Sequence, residues 1–545
     1  MAVAAFFPWL GSVHLFDWDE INFAEAAREM LITHNYAQVQ INFEPFYEKP
    51  PLFFWLQAIS MKIWGINEFA ARFPNAVFGL LTLATLYKIG RAIQNAKFGF
   101  LCALMHMSAL LPHFYFKTGI IDPVFNYFIF LGIYSLTHIL YLPTARKAVY
   151  WAFLGGLAMG LAILTKGPVA LLIPGITFFV YWAIARFKPI FSLINLIAAC
   201  LAAGFIPLIW LAYETYQHGP DFILAFLQYQ LELFTKPVAG HGQPFYYHFV
   251  VILLGCFPAS ILAWGNLSKA KPTSFTFLRV MQILLGVVML LFSLVTTKIV
   301  HYSSMAYFPL TFLAANYLYD LEQKRIQPNR SMRLGFLWTG MIVVSLFISF
   351  PLLGLLKNHW HHLIPDDFTQ AMVAMSVPWS LTDCLVGVVY GLLLIVAYRL
   401  FRRQSIIPFA LLTSLATTFC LTLGTLLIIP KIEAHIQRPA IEFYKQLAGQ
   451  DVYLTTLGFK SYAPFFYFQQ PNDPQSRRKD SHWLLTGEID KPAYFVAKIT
   501  DKALLDDWPD IKLIKIEGSF AFYKREIGGR LVTNYSQTHE GGYKK

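Results

Sequence analysis

Roughly thirteen apolar segments, most near the ~20 residues that cross a bilayer as a helix, follow one another through the first 430 residues. Hydrocarbon offers no partner for a backbone N–H or C=O, so a chain patterned this way folds as a helical membrane bundle. The segments are 1–15, 69–87, 98–116, 123–142, 149–165, 168–185, 191–213, 245–266, 275–296, 302–319, 333–356, 384–401 and 406–429. The first is too short for a full crossing and lacks the basic start of a signal peptide. It is expected to continue upstream of Met1; the alternative is a helix that enters only part of the bilayer. The +12 net charge includes no basic block long enough for nucleic acid. Lys and Arg come in small groups between apolar runs. The five cysteines lie in or beside those runs without metal spacing, and no disulfide framework is expected.

The loops fix an expected orientation. Alternate loops carry Lys88, Arg91 and Lys97; Arg146 and Lys147; Arg186 and Lys188; Lys269 and Lys271; Lys324, Arg325, Arg330 and Arg333; and Arg399, Arg402 and Arg403. Positive-inside reasoning makes these cytoplasmic. The intervening loops, and everything after Pro430, are then external.

Topology explains the inner cations but not the charges at the outer ends of spans. The first external loop holds Asp17, Asp19 and Glu20, then Glu48 and Lys49 before Pro50-Pro51. Arg72, Asp122, Lys166, His241, Lys298, His301 and Tyr302 stand at the same expected face. Charge beside a membrane is costly unless solvated, paired or used. Each residue also has a structural reading. Asp19 and Glu20 suit a helix start, and Glu48–Lys49 could be an exposed ion pair. Asp122 could cap the helix opening at Pro123. Lys166, Lys298 and Tyr302 could be interface anchors, and His241 a loop residue. Stretches 19–33 and 52–65 read as amphipathic helices lying in the interface and roofing a cavity.

The motifs resemble those of the protein O-mannosyltransferases and lipid A aminoarabinose transferases, membrane enzymes of the GT-C fold. Asp19-Glu20 matches the acidic pair of the first external loop, followed by Glu48-Lys49-Pro50-Pro51 and the Arg72 helix start. Asp122 matches the acid of the next external loop. Thr165-Lys166-Gly167-Pro168 and Lys298 to Tyr302 match two later motifs. The matches run in order through about the first 320 residues. Two positions depart from the aminoarabinose branch. Asn22 stands where an arginine follows the acidic pair, and Gln230 to Phe234 lacks the expected His and Arg.

The resemblance implies inverting transfer of a sugar from a polyprenyl phosphate to a lipid A-like lipid, a protein or a cell-surface glycan. The reaction would take place at the outer face of an inner membrane. It implies catalytic roles for Asp19 (general base), Glu20 and Asp122, and substrate binding by Glu48, Lys49, Arg72, Lys166, Lys298 and Tyr302. It implies no certain cofactor, with Glu48 and His241 as the candidate ligands should a divalent metal ion be used. His359, His361 and His362 form a second histidine cluster with no other ligand nearby in sequence. The rival class is a polytopic transporter or glycan flippase, which would carry polar residues near mid-membrane.

The composition changes after Pro430. Arg438–Leu447 reads as a helix, and 451–457, 493–499, 511–516 and 520–524 read as strands. The expectation is a transmembrane domain over 1–430, an external α/β domain over 431–527 and a disordered tail over 528–545. The apolar pattern gives a polytopic α-helical membrane protein with a small C-terminal α/β domain, and the resemblance implies that its membrane part is of the GT-C type.

Overall fold

The computed structural model describes residues 1–142, 144–235, 242–267, 276–295, 297–473, 476–506 and 508–528. His241, the Lys269–Lys271 loop and nearly all of the expected 528–545 tail lie outside these residues.

The chain is a multi-pass membrane protein. Among the described residues, seven helices are long and apolar enough to cross a bilayer: Glu68–Ile93, Ala145–Lys166, Leu193–His218, Phe277–Leu294, Arg330–Leu355, Leu381–Arg402 and Ile406–Ile436. An eighth apolar stretch is a pair, Tyr247–Gly255 and Ala259–Leu267, bent by 112°. Helices also form in the expected spans 98–116, 123–142, 168–185 and 302–319, but two of these are interrupted. The first breaks at Ala109 into Ala96–Ser108 and Leu110–Tyr115. The last opens as a 3-10 turn, Val300–Ala306, before Tyr307–Glu322. Segment 1–15 is helical only over Ala2–Phe6. It packs through Phe6 and Leu10 against Ala76, Leu83 and Phe116.

Local signals set the helix ends. The Asn67 and Asn95 side chains accept from the backbone N–H groups of Ala70 and Phe98, capping two helices where the chain turns. Pro123 occupies the first turn of Asp122–Ile139, where its missing N–H costs nothing. Gly167, with φ +94°, ends Ala145–Lys166 in a conformation other residues rarely adopt. Asp122 thus begins one long helix and Lys166 ends the next, so two antiparallel neighbours bring their charges to one end of the bundle.

A short ladder, β1 (Gln40–Ile41) with β2 (Glu44–Pro45), closes the first loop. The C-terminal part is a four-stranded sheet of β3 (Tyr453–Leu457), β4 (Ala493–Lys498), β5 (Ile511–Glu517) and β6 (Phe520–Arg525), in the order β3-β4-β6-β5. β3 and β4 are parallel, so the chain between them must cross over, and it does so through short helices. Side chains alternate between faces. Tyr453, Leu457, Phe495 and Tyr523 pack with Leu484, Leu485 and Leu505. Leu454, Val496, Phe520 and Phe522 pack with Ile441, Phe443 and Tyr444, and onward with the helices Asp19–Thr33 and Leu52–Trp64.

That second face corrects the reading of residues 19–33 as an interfacial helix. Asp19–Thr33 is a helix over the expected range, but eleven of its fifteen residues are buried. Its charges are paired inside. Arg28 binds Glu25 through two hydrogen bonds of 2.7 Å and donates to the Gln470 carbonyl at 3.1 Å. Glu29 accepts from the Phe43 N–H at 2.8 Å, and burial together with the Glu25 carboxylate raises it to about 9. Leu52–Trp64 fits the interfacial expectation better, with Ile59, Ile63 and Trp64 exposed on one side.

Candidate active site

Five chain segments meet at the end of the bundle marked by Asp122 and Lys166. Lys166 Nζ lies 2.7 Å from Asp122 Oδ1. His301 Nε2 stands between two carboxylates, 3.6 Å from Asp19 Oδ2 and 4.0 Å from Asp122 Oδ2. Lys49 Nζ is 3.8 Å from Glu48 Oε2. The Lys166 ammonium also sits 5.6 Å from the Phe125 ring centre and 5.7 Å from that of Tyr302. The Tyr229 hydroxyl hydrogen-bonds to Glu48, bringing the Asp221–Thr235 helix over the loop. Tyr47 packs on Phe222 of the same helix.

Exposure separates the two acids. The Asp122 side chain is 4% exposed and held by Lys166, whereas Asp19 is 34% exposed. Asp19 is therefore the carboxylate that an incoming molecule can reach. Lys49 is mostly enclosed, and burial pushes its ammonium below the ordinary lysine value. Glu48 opposes that shift and nearby Lys166 adds to it. An anion placed beside Lys49 would favour its charged form and offset both effects.

Glu20 and Arg72, expected in catalysis and substrate binding, have internal partners instead. Arg72 Nε and Nη2 bind Glu20 at 3.0 and 2.8 Å. Nη1 donates to the Leu10 and Val13 carbonyls, each at 2.8 Å, and Nη2 to the His14 carbonyl at 3.0 Å. These contacts account for all five guanidinium donors. Glu20 also accepts from the N–H groups of Phe16 and Gly119. Burial would raise its carboxyl, but Arg72 holds it below the ordinary value. The pair ties the first loop to the turn at Gly119 and leaves no donor for a phosphate.

Lys298 is likewise turned inward, donating to the Val295 carbonyl at 2.6 Å. The paired metal role of Glu48 and His241 cannot be placed, because His241 is outside the described residues. Among those described, no three His, Cys, Asp or Glu side chains converge as a metal would need. His361 of the second histidine cluster engages the Lys357 carbonyl at 3.0 Å.

Three neighbours of the site had no assigned role in the sequence reading. Tyr229 and Tyr462 carry no motif that could have revealed them. Asp17 had a signal, its place in the charged loop. Its carboxylate accepts from the Ser461 hydroxyl and, at 3.3 Å, from the Tyr462 N–H. Burial raises Asp17 to about 6, with the hydrogen bonds from Ser461 and Tyr462 opposing this less strongly. A carboxyl raised by folding binds its proton more tightly folded than unfolded. The Asp17 share of stability should therefore fall as pH rises from about 4 to about 6, then level off, while the Glu29 share goes on falling toward about 9. Asp17→Asn should remove the Asp17 share of the slope. Thermal unfolding of the solubilised protein from about pH 4.5 to 8 measures it, and an unchanged slope in the variant would contradict the assignment.

Residues 48–210 match the family model for dolichyl-phosphate-mannose-protein mannosyltransferase. The chain is 28% identical over 345 residues to undecaprenyl phosphate-alpha-4-amino-4-deoxy-L-arabinose arabinosyl transferase 1 of Proteus mirabilis, covering 60% of this chain and 61% of that protein. It is 27% identical over 356 residues to an uncharacterized protein of Aquifex aeolicus, covering 62% of this chain and 68% of that one. The chain thus spans about three fifths of the length of the Proteus transferase. In fold it is similar to ArnT from Cupriavidus metallidurans, solved bound to undecaprenyl phosphate. That match has a TM-score of 0.75 at 20% identity and covers 96% of both chains.

Proposed function

We propose, from the premise that this chain belongs to the GT-C family of protein O-mannosyltransferases and lipid A aminoarabinose transferases, that it moves a sugar from a polyprenyl phosphate to an acceptor hydroxyl or phosphate. The observation that carries this reading is the meeting of Lys49, Lys166, His301 and an accessible Asp19 at one end of the bundle. The site lies at the outer face of an inner membrane, and residues 431–527 form an external domain covering it.

The donor phosphate sits beside Lys49, with Lys166 held near by Asp122 and Tyr302. Asp19 orients the acceptor oxygen and takes the proton of a hydroxyl acceptor as that oxygen attacks the anomeric carbon. The new C–O bond forms on the face opposite the breaking bond to phosphate, inverting the anomeric centre. The bonding electrons leave with the polyprenyl phosphate, whose added charge Lys49 stabilises. His301, between Asp19 and Asp122, holds Asp19 in place. A cavity of about 670 Å³ lined by Leu208, Leu211, Ala212, Thr215, Tyr216 and Ile223 supports an isoprenoid donor. It shares Leu211 and Ile223 with the cluster that packs Tyr47 and Leu164, two residues from Lys49 and Lys166 respectively. A transporter gains no such support, because the charges gather at helix ends rather than at mid-span.

Lys49→Ala should reduce transfer about 10²- to 10³-fold, the cost of losing one preorganised donor to a developing anion. The test is lipid and glycan profiling of a deletion strain, complemented with the wild type, Asp19→Asn or Lys49→Ala. One product should vanish on deletion and return only with the wild type. Full restoration by both variants would place the chemistry elsewhere.

A further inference from the structure

The turn after β3 reaches the rim of the site. Gly458, with φ +79°, reverses the chain, and the Thr456 hydroxyl fixes the turn by donating to the Phe459 carbonyl at 3.0 Å. Ser461 then anchors it to Asp17 and accepts from the Ala463 N–H at 3.1 Å. This delivers Tyr462 edge-on to Trp18, with ring centres 4.9 Å apart and planes at 82°. Trp18 is the residue before Asp19 and is 44% exposed. The Lys460 ammonium lies 5.2 Å from the Trp18 ring centre and 5.3 Å from that of Tyr462. Among the described residues it has no ion-pair partner, although Asp17 and Asp19 flank Trp18 in sequence.

An exposed cation held over two rings and left without a counter-ion is poised for an anion from outside. Lys49 and Lys166 serve the donor end of the site. Lys460 lies over Trp18, the exposed residue next to Asp19, and so beside the acid an acceptor must reach. The indole offers an apolar face for a sugar ring, and the ammonium offers a charge for a substituent on it. An anionic acceptor would otherwise meet the Asp19 carboxylate at this rim, a repulsive pairing.

We propose that Lys460 and Trp18, braced by Tyr462, form the acceptor subsite and select a saccharide headgroup bearing an anionic substituent, a phosphate or a carboxylate. This rests on the transferase reading above. It makes the C-terminal sheet a specificity element as well as a cover.

The test uses the full-length protein in the deletion strain, with two readouts. Mass spectrometry of lipids and glycans identifies the product lost on deletion. Complementation with Lys460→Glu should return less than about a tenth of it, and Lys460→Arg more than half, because arginine keeps both the charge and the ring stacking. The purified Lys460→Glu protein should bind undecaprenyl phosphate within about twofold of the wild type, which a folding defect would not allow. The lost product should carry phosphate or carboxylate on its acceptor sugar; a phosphorylated and a uronic headgroup differ in mass and both agree with the proposal. A neutral glycan or a protein hydroxyl as acceptor overturns the subsite and leaves the transferase reading standing. So does full restoration by Lys460→Glu. A deletion strain with unchanged lipids, glycans and proteins overturns the transferase reading and the subsite with it.

Discussion

Asp19→Asn should lower transfer by about 10²- to 10⁴-fold, the usual contribution of a positioned general base, while leaving donor binding intact. The geometry singles out this acid. Asp122 has its oxygens turned to Lys166 and His301 and is only 4% exposed. Asp19 starts its helix at the rim, is 34% exposed and has His301 at 3.6 Å. Asparagine keeps the shape and the helix start but cannot accept a proton. Turnover measured with reconstituted protein and the product-forming lipid extract should fall, while undecaprenyl phosphate binding holds. A variant retaining more than about a tenth of wild-type turnover would mean that the acceptor is activated by another group.

Arg72→Ala should destabilise the fold by about 3–5 kcal/mol, the range for breaking a buried ion pair by removing one partner. Glu20 would be left charged and enclosed, with only two backbone N–H groups to serve it. The carbonyls of Leu10, Val13 and His14 would lose their donor as well. Arg72→Lys should not rescue, because one ammonium cannot span a carboxylate and three carbonyls. Glu20→Gln should destabilise as well, because its NH2 would face an Arg72 N–H and a backbone N–H, donor against donor, and Arg72 would lose its counter-charge. Thermal unfolding of the detergent-solubilised variants would rank them. An Arg72→Ala protein as stable as wild type, yet inactive, would return Arg72 to the substrate.

These two variants show what a sequence can and cannot separate. Asp19, Lys49, Asp122 and Lys166 stand out because a charge at the end of an apolar span needs a use. Glu20, Arg72 and Lys298 stand out for the same reason, but the fold satisfies them internally. A paired buried charge and a working one are equally conspicuous in sequence, and only geometry distinguishes them. Tyr229 and Tyr462 give no signal, because a tyrosine in an apolar helix or beside a strand is unremarkable. The strands from Tyr453 to Arg525 were legible from alternation. The burial of Glu25, Arg28 and Glu29 was not, because part of what encloses them, such as the Gln470 carbonyl on Arg28, comes from more than four hundred positions later.

The central claim is that the Lys49–Lys166 end of this cluster receives a polyprenyl phosphate. Native mass spectrometry of the purified full-length protein, titrated with undecaprenyl phosphate and separately with undecaprenol, tests it most directly. Saturable binding of the phosphate, little binding of the alcohol, and at least a tenfold weakening by Lys49→Ala (about 1.4 kcal/mol) are the predicted results. Equal affinity of the wild type and Lys49→Ala for undecaprenyl phosphate would contradict the account.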